Sequence, residues 1–139
     1  PEATGRRASA LSKQLTKVRT RKYQIAISPS LLTLQQVAAK VTIPVFAQHT
    51  DSTSLGAHTG SVAVQELKAL GAAGTLLNHS EKKIPFSSLK KTIMLCKKNK
   101  LKTIVCASNL RETKKLARLK PDYLAYEPKA LIGGNISVA

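Results

Sequence analysis

The chain has 139 residues, with 23 Lys+Arg against 7 Asp+Glu and a formal net charge of +16 at pH 7. That length suits a single domain, and an apolar content of 42% builds a core, which excludes a disordered basic tail. No apolar run approaches the roughly 18 residues of a membrane-crossing helix, so no membrane partner is expected. From Arg6 to Arg21, Ala10, Leu11, Leu15 and Val18 recur at helical spacing with basic residues between them. Tyr23 to Ile27 is a short β-prone run, stopped by Ser28-Pro29. Ser30 is placed to cap a helix through Leu31, Leu34, Val37 and Ala38. Pro44 to Gln48 reads as a second strand, and a polar stretch from His49 to Gly60 follows, too long for a tight turn. Val62, Leu67 and Leu70 mark a helix that Gly71 terminates. Gly74 to Leu77 is the third strand, leaving through Asn78-His79-Ser80-Glu81. Phe86, Leu89, Ile93 and Cys96 form a helical stripe, Thr103 to Ala107 the fourth strand, and Asn109 to Leu119 the next helix. Tyr123 to Tyr126 is the fifth strand, followed by Glu127-Pro128 and a loop bearing Gly133-Gly134.

Short apolar strands alternating with helices, with no hairpin signal, indicate βα units and an α/β fold with a parallel sheet of about five strands. The strands are apolar on both faces, as a sheet covered by helices requires. Right-handed crossovers leave an open doubly wound sheet or part of a (β/α)8 barrel, and periodicity does not choose between them. No GxGxxG or GxxxxGK[ST] follows any strand, which argues against dinucleotide and P-loop sites.

The charge asks for an anionic partner, either a small anionic substrate or a polyanion such as RNA. With aromatics at 4%, few rings are available to stack on bases, so nucleic-acid contact is expected to be non-specific at most. Cys96 and Cys106 form neither a CxxC nor a disulfide framework, and Pro1 opens no basic-then-apolar leader. Both features lead us to expect a reduced, cytoplasmic protein. His49, His58 and His79 lack metal-ligand spacing, so no metal is expected.

In parallel α/β folds, reactive side chains stand just past the carboxyl ends of strands. Those exits carry Ser28, Gln48-His49, Asn78 to Glu81, Ser108-Asn109 and Glu127. His79 precedes a polar turn that reads as the first turn of a helix, whose N-terminus would favour a neutral, hydrogen-bond-donating imidazole. Glu127, at the end of an apolar strand, is placed as a general base.

Three motifs carry a resemblance. Ala73 to Lys83 (AGTLLNHSEKK), Tyr123 to Gly133 (YLAYEPKALIG), and Pro44 to His49 with Gly56 to Gly60 occur in the order and spacing of the triosephosphate isomerase family. The Leu-Leu-Asn-His-Ser-Glu-Lys wording is similar to its compact archaeal form. The resemblance implies a partial (β/α)8 barrel and an isomerase that needs no cofactor, interconverting dihydroxyacetone phosphate and glyceraldehyde 3-phosphate in glycolysis and gluconeogenesis. It implies that His79 polarises the substrate carbonyl, that Glu127 shuttles the proton, that Glu81 is the acid beside His79, and that Asn78 and Ser80 frame the motif. Gly133 would lie in the lid that offers backbone N–H groups to the phosphate. Thr59 would reach into the site of a second copy, in a homodimer or homotetramer. Where the family's lid ends Ile-Gly-Thr-Gly, this chain has Ile132-Gly133-Gly134-Asn135. A barrel of this kind runs to about 250 residues. Residues 1–139 are therefore expected to cover strands two to six, without the first strand and the last two βα units, and to be inactive by themselves.

Overall fold

The computed structural model of the protein describes residues 4–18 and 20–128. Gly133 and residues 134–135, where the lid hinge is expected, lie outside them. The described residues form α1 (Gly5–Thr16), a 3₁₀ turn (Leu31–Thr33) running into α2 (Leu34–Ala38), β1 (Phe46–Ala47), α3 (Val64–Ala69), β2 (Gly74–Leu77), α4 (Phe86–Lys98), β3 (Lys102–Ala107), α5 (Leu110–Ala117) and β4 (Tyr123–Tyr126). The sheet order is β1-β2-β3-β4 and every pair is parallel. Ile27 adds a parallel bridge to Val45 on the outer side of β1. An open doubly wound sheet reverses its strand order at a switch point. No reversal occurs among these strands, so the sheet grows in one direction only, as the arc of a barrel does.

The expected strand at Tyr23–Ile27 is reduced to that one bridge, and two prolines account for it. The Ile27 N–H donates to the Pro44 carbonyl (3.1 Å) and the Phe46 N–H to the Ile27 carbonyl (2.8 Å). In a parallel ladder the next rungs would need N–H donors at Pro44, towards Ile25, and at Pro29, towards Phe46. Neither proline has one. Pro44 also confines β1 to two residues, although Val45, Phe46 and Ala47 are all buried.

Helix α1 departs from its expected face. Leu11 and Val18 are 43% and 52% exposed, whereas Ala8, Ser9 and Ser12 are buried. Small side chains let the helix backbone approach α2 closely, and a pattern built on large apolar residues does not register them. The helices that follow agree better with the sequence. Leu34 and Val37 of α2, Val64 and Leu67 of α3, and Leu89, Ile93 and Cys96 of α4 are buried. Phe86 opens α4 more exposed than its stripe suggests, with the Lys115 ammonium 4.4 Å from its ring centroid.

Left-handed residues set the turns from helix to strand. Gly71 (φ +89°) closes α3: its N–H donates to the Lys68 carbonyl, and the Ala72 N–H reaches back to Leu67. This is a complete Schellman motif. Lys100 (φ +53°) does the same for α4, with Leu101 bonded back to Cys96. At the start of β2, a Cβ on Gly74 would overlap the Phe46 ring and lie 2.6 Å from the Lys102 carbonyl. Only glycine lets the three strands approach this closely. The core lies in two clusters, one around Leu34, Val37, Val45, Val64 and Leu67, the other around Leu77, Leu89, Ile93, Val105 and Leu116.

Candidate active site

Because the strands are parallel, their exits share one end of the sheet. The Gln48 side-chain amide donates to the Ser28 carbonyl (3.2 Å), joining the first two exits. A pocket of about 420 Å³ opens at this end, lined by Leu31, Gln48, His49, Leu76, His79, Glu81 and Lys82.

His79 leaves β2 into a turn closed by the Lys82 N–H on the His79 carbonyl (2.9 Å). The expectation that this turn begins a helix is not met, since α4 starts at Phe86. Pro85 fixes the chain just before that helix, leaving residues 81–84 to cross from the sheet to its outer layer. The polarity attributed to a helix N-terminus is instead supplied locally. The Glu81 backbone N–H donates to His79 Nδ1 (3.3 Å). With Nδ1 accepting there, a neutral imidazole carries its hydrogen on Nε2. That nitrogen faces Glu127 Oε1 at 3.5 Å, while the Ser80 N–H donates to Glu127 Oε2 (3.3 Å).

Glu127 follows β4, its N–H bonded to the Ala107 carbonyl (2.7 Å), and its side chain is 20% exposed. Beneath it lies Cys106, buried in β3. Burial, then the hydrogen bond to and charge of Glu127, push the Cys106 thiol up to about 12, so it meets the carboxylate as a neutral donor. The structure thus brings His79, Ser80 and Glu127 together from exits two strands apart. Glu81 stands beside them, its Oε2 3.5 Å from His79 Nδ1 with its side chain largely in solvent. The Ser80 hydroxyl is buried and has no hydrogen-bond partner among the described residues.

Asn78 frames the site from below. It sits in the left-handed region (φ +59°) and is 3% exposed. Its side-chain amide donates to the Cys106 carbonyl (2.8 Å) and to Glu112 Oε1 (3.0 Å), and its Oδ1 accepts from the Ile84 N–H (3.1 Å).

The sequence pattern assigns no site role to Glu112, Lys83 or Cys106. Glu112 gathers the Ser108 N–H (2.7 Å), the Ser108 hydroxyl (2.6 Å), Asn78 and Lys83. Burial acts to raise its pKa, but these donors outweigh burial and bring it down to about 2. The signal available in the sequence was the Asn109-x-x-Glu112 spacing of a helix start: the Asn109 side chain accepts from the Glu112 N–H (2.8 Å).

The long loop after β1 is pinched at its base. Asp51 accepts from the Val62 N–H (2.8 Å), Thr50 Oγ1 donates to the Val62 carbonyl (2.8 Å), and His49 Nε2 lies 3.0 Å from Asp51 Oδ1. Burial pushes the Asp51 carboxyl up, but the Val62 and His49 hydrogen bonds prevail and hold it below its usual value. Residues 54–60 project into solvent, so Thr59 is exposed and does not join the His79–Glu127 pair of its own chain.

Comparison with known proteins agrees with this geometry. The family model described as triosephosphate isomerase matches residues 2–139. The triosephosphate isomerase of Methanocaldococcus jannaschii is 39% identical over 139 residues, covering 99% of this chain and 64% of that protein. That of Methanothermus fervidus is 39% identical over 140 residues (99% and 63%), and that of Methanosarcina barkeri 37% over 139 (99% and 63%). The chain therefore spans less than two thirds of the length of these curated relatives. A one-directional parallel arc, a histidine and a glutamate meeting at its carboxyl end, and a family match over nearly every residue lead to one assignment: the chain belongs to the triosephosphate isomerase family.

Proposed function

We propose that the protein interconverts dihydroxyacetone phosphate and glyceraldehyde 3-phosphate in glycolysis and gluconeogenesis, with Glu127 as the base and His79 as the hydrogen-bond donor. The observation that carries this reading is the facing pair itself, His79 Nε2 at 3.5 Å from Glu127 Oε1. The reaction moves one proton between adjacent carbons through an enediolate. Glu127 takes the proton from the carbon beside the carbonyl. His79, with its hydrogen on Nε2, donates to the carbonyl oxygen as negative charge develops there. Glu127 then returns the proton to the neighbouring carbon, while the hydroxyl proton of the enediolate passes from its own oxygen to the former carbonyl oxygen by way of His79 Nε2, so that carbonyl and hydroxyl exchange places with no net gain or loss of protons. A three-carbon chain does not fit between two atoms 3.5 Å apart, so substrate entry must part the pair and free Glu127 from the Ser80 N–H. Neither step calls for a metal or an organic cofactor. Gly133 would serve the substrate phosphate through its backbone N–H.

The pinched loop at Asp51–Val62 supports a second element of the proposal, assembly as a homodimer or homotetramer. A closed base with an exposed tip, including Leu55 at 68% exposure, makes Thr59 available to a partner copy rather than to its own site. Cys96 and Cys106 are both free and buried, in keeping with a reduced, cytoplasmic setting. A coupled assay of the full-length protein on dihydroxyacetone phosphate tests the activity. Turnover at the rates of an efficient isomerase is expected, and its absence would refute the reading.

A further inference from the structure

Among the described residues, one carboxylate outside the His79–Glu127 pair touches the supports of both. We propose that Glu112 is a positioning residue of this site, a brace on α5 that locks the exits of β2 and β3 into one frame and so sets His79 against Glu127. The inference rests on the isomerase reading for its kinetic consequences, and on geometry alone for its structural one.

One arm of the brace runs to His79. Glu112 Oε1 accepts from the Asn78 side chain (3.0 Å), and Asn78 is the residue immediately before the histidine. A left-handed backbone is costly for any residue other than glycine, and Asn78 is held there by its side-chain bonds to Glu112, Cys106 and Ile84. The direction in which the chain leaves β2, and with it the imidazole, depends on those bonds. The other arm runs to Glu127. Glu112 Oε2 accepts from the Ser108 N–H (2.7 Å) and hydroxyl (2.6 Å), and Ser108 follows Ala107, whose carbonyl holds the Glu127 N–H (2.7 Å). Lys83, just past the His79 turn, closes the bracket with its ammonium 3.2 Å from both oxygens.

The chemistry of the cluster suits a brace. Every partner of Glu112 is a donor, so only an ionised carboxylate satisfies them all. Burial acts to raise the Glu112 pKa, the donors bring it down to about 2, and the group stays charged at any pH at which an enzyme of this kind works. Glu112 touches neither the pocket nor the reacting atoms, and it acts only through Asn78 and Ser108. A displacement of either site residue by about 1 Å is enough to cost on the order of 100-fold in rate.

The test is Glu112→Gln in the full-length protein, with Ser108→Ala as a milder second variant that removes one donor. Glutamine keeps the size of the side chain but turns an amide N–H₂ towards a donor. In the folded Glu112→Gln protein we expect kcat to fall by about 10- to 100-fold with KM changed by no more than about twofold. Ser108→Ala should move in the same direction by about threefold, since it breaks one bond in the set. The ¹⁵N signals of the His79 ring should shift away from the pattern of an accepting Nδ1 and a protonated Nε2. A brace that only stabilised the fold would lower the melting temperature and leave kcat and the His79 signals of the folded protein unchanged, and that result would overturn the proposal. If Glu112→Gln does not fold, Ser108→Ala decides by the same two readouts. If the unmodified protein has no turnover, the isomerase reading falls, and the ¹⁵N signals alone decide the role of Glu112.

Discussion

Asn78→Ala is the perturbation that reaches furthest into this site. Alanine removes the donor to the Cys106 carbonyl and to Glu112 Oε1, and the acceptor for the Ile84 N–H, at a position 3% exposed. Each buried partner left unsatisfied costs about 1–3 kcal/mol, and allowing for water to reach some of them gives about 2–4 kcal/mol in total. A further 1 kcal/mol or so comes from the left-handed backbone, which asparagine tolerates better than alanine. Asn78→Gly separates the two contributions, because it loses the same bonds without the strain. Urea unfolding of the full-length protein should place Asn78→Ala lowest, Asn78→Gly about 1 kcal/mol above it, and the unmodified protein highest. A loss below about 1 kcal/mol for Asn78→Ala would refute the reasoning, since the three bonds would then carry nothing.

Two other predictions concern the fold that supports the site. Lys100 caps α4 at φ +53° with an exposed side chain, so Lys100→Gly should raise stability by about 0.5–1 kcal/mol in the same unfolding experiment; the Lys68 ammonium bonds only the Lys100 carbonyl, which remains. Glu112 has a folded pKa near 2 against 4.5 as the reference. Because the folded value is depressed, its stabilisation is fully present above about pH 4.5 and is lost as pH falls towards 2. Discounted for its partial exposure, the loss is about 2 kcal/mol, and it should be absent from the acid-unfolding curve of Glu112→Gln.

The parts legible in the sequence were those set by local pattern. The bounds expected for β2 and β4 are those observed, because each apolar run is closed at both ends by turn residues and paired along its whole length. The run at Tyr23–Ile27 has the same local character and yields one bridge, because the prolines that break its ladder include one on the neighbouring strand. In α1 the buried face is Ala8, Ser9 and Ser12, and a hydrophobic periodicity weights such residues too lightly to find them. His79 and Glu127 could be read as site residues from their places at strand exits. The Asn109-x-x-Glu112 spacing marks Glu112 only as part of a helix start; its place in the site comes from Asn78, thirty-four positions away in the chain, and from a carboxylate turned inward from a helix whose other charges face water.

The central claim, that Glu127 moves a proton on a substrate polarised by His79, is tested most directly by deuterium exchange. Dihydroxyacetone phosphate incubated with the full-length protein in D₂O should exchange the hydrogen on the carbon beside the carbonyl, followed by proton NMR. Glu127→Gln should slow that exchange by about 10²- to 10⁴-fold, the usual contribution of a positioned base, with the fold unchanged. Exchange at the unmodified rate in the Glu127→Gln protein would contradict the account.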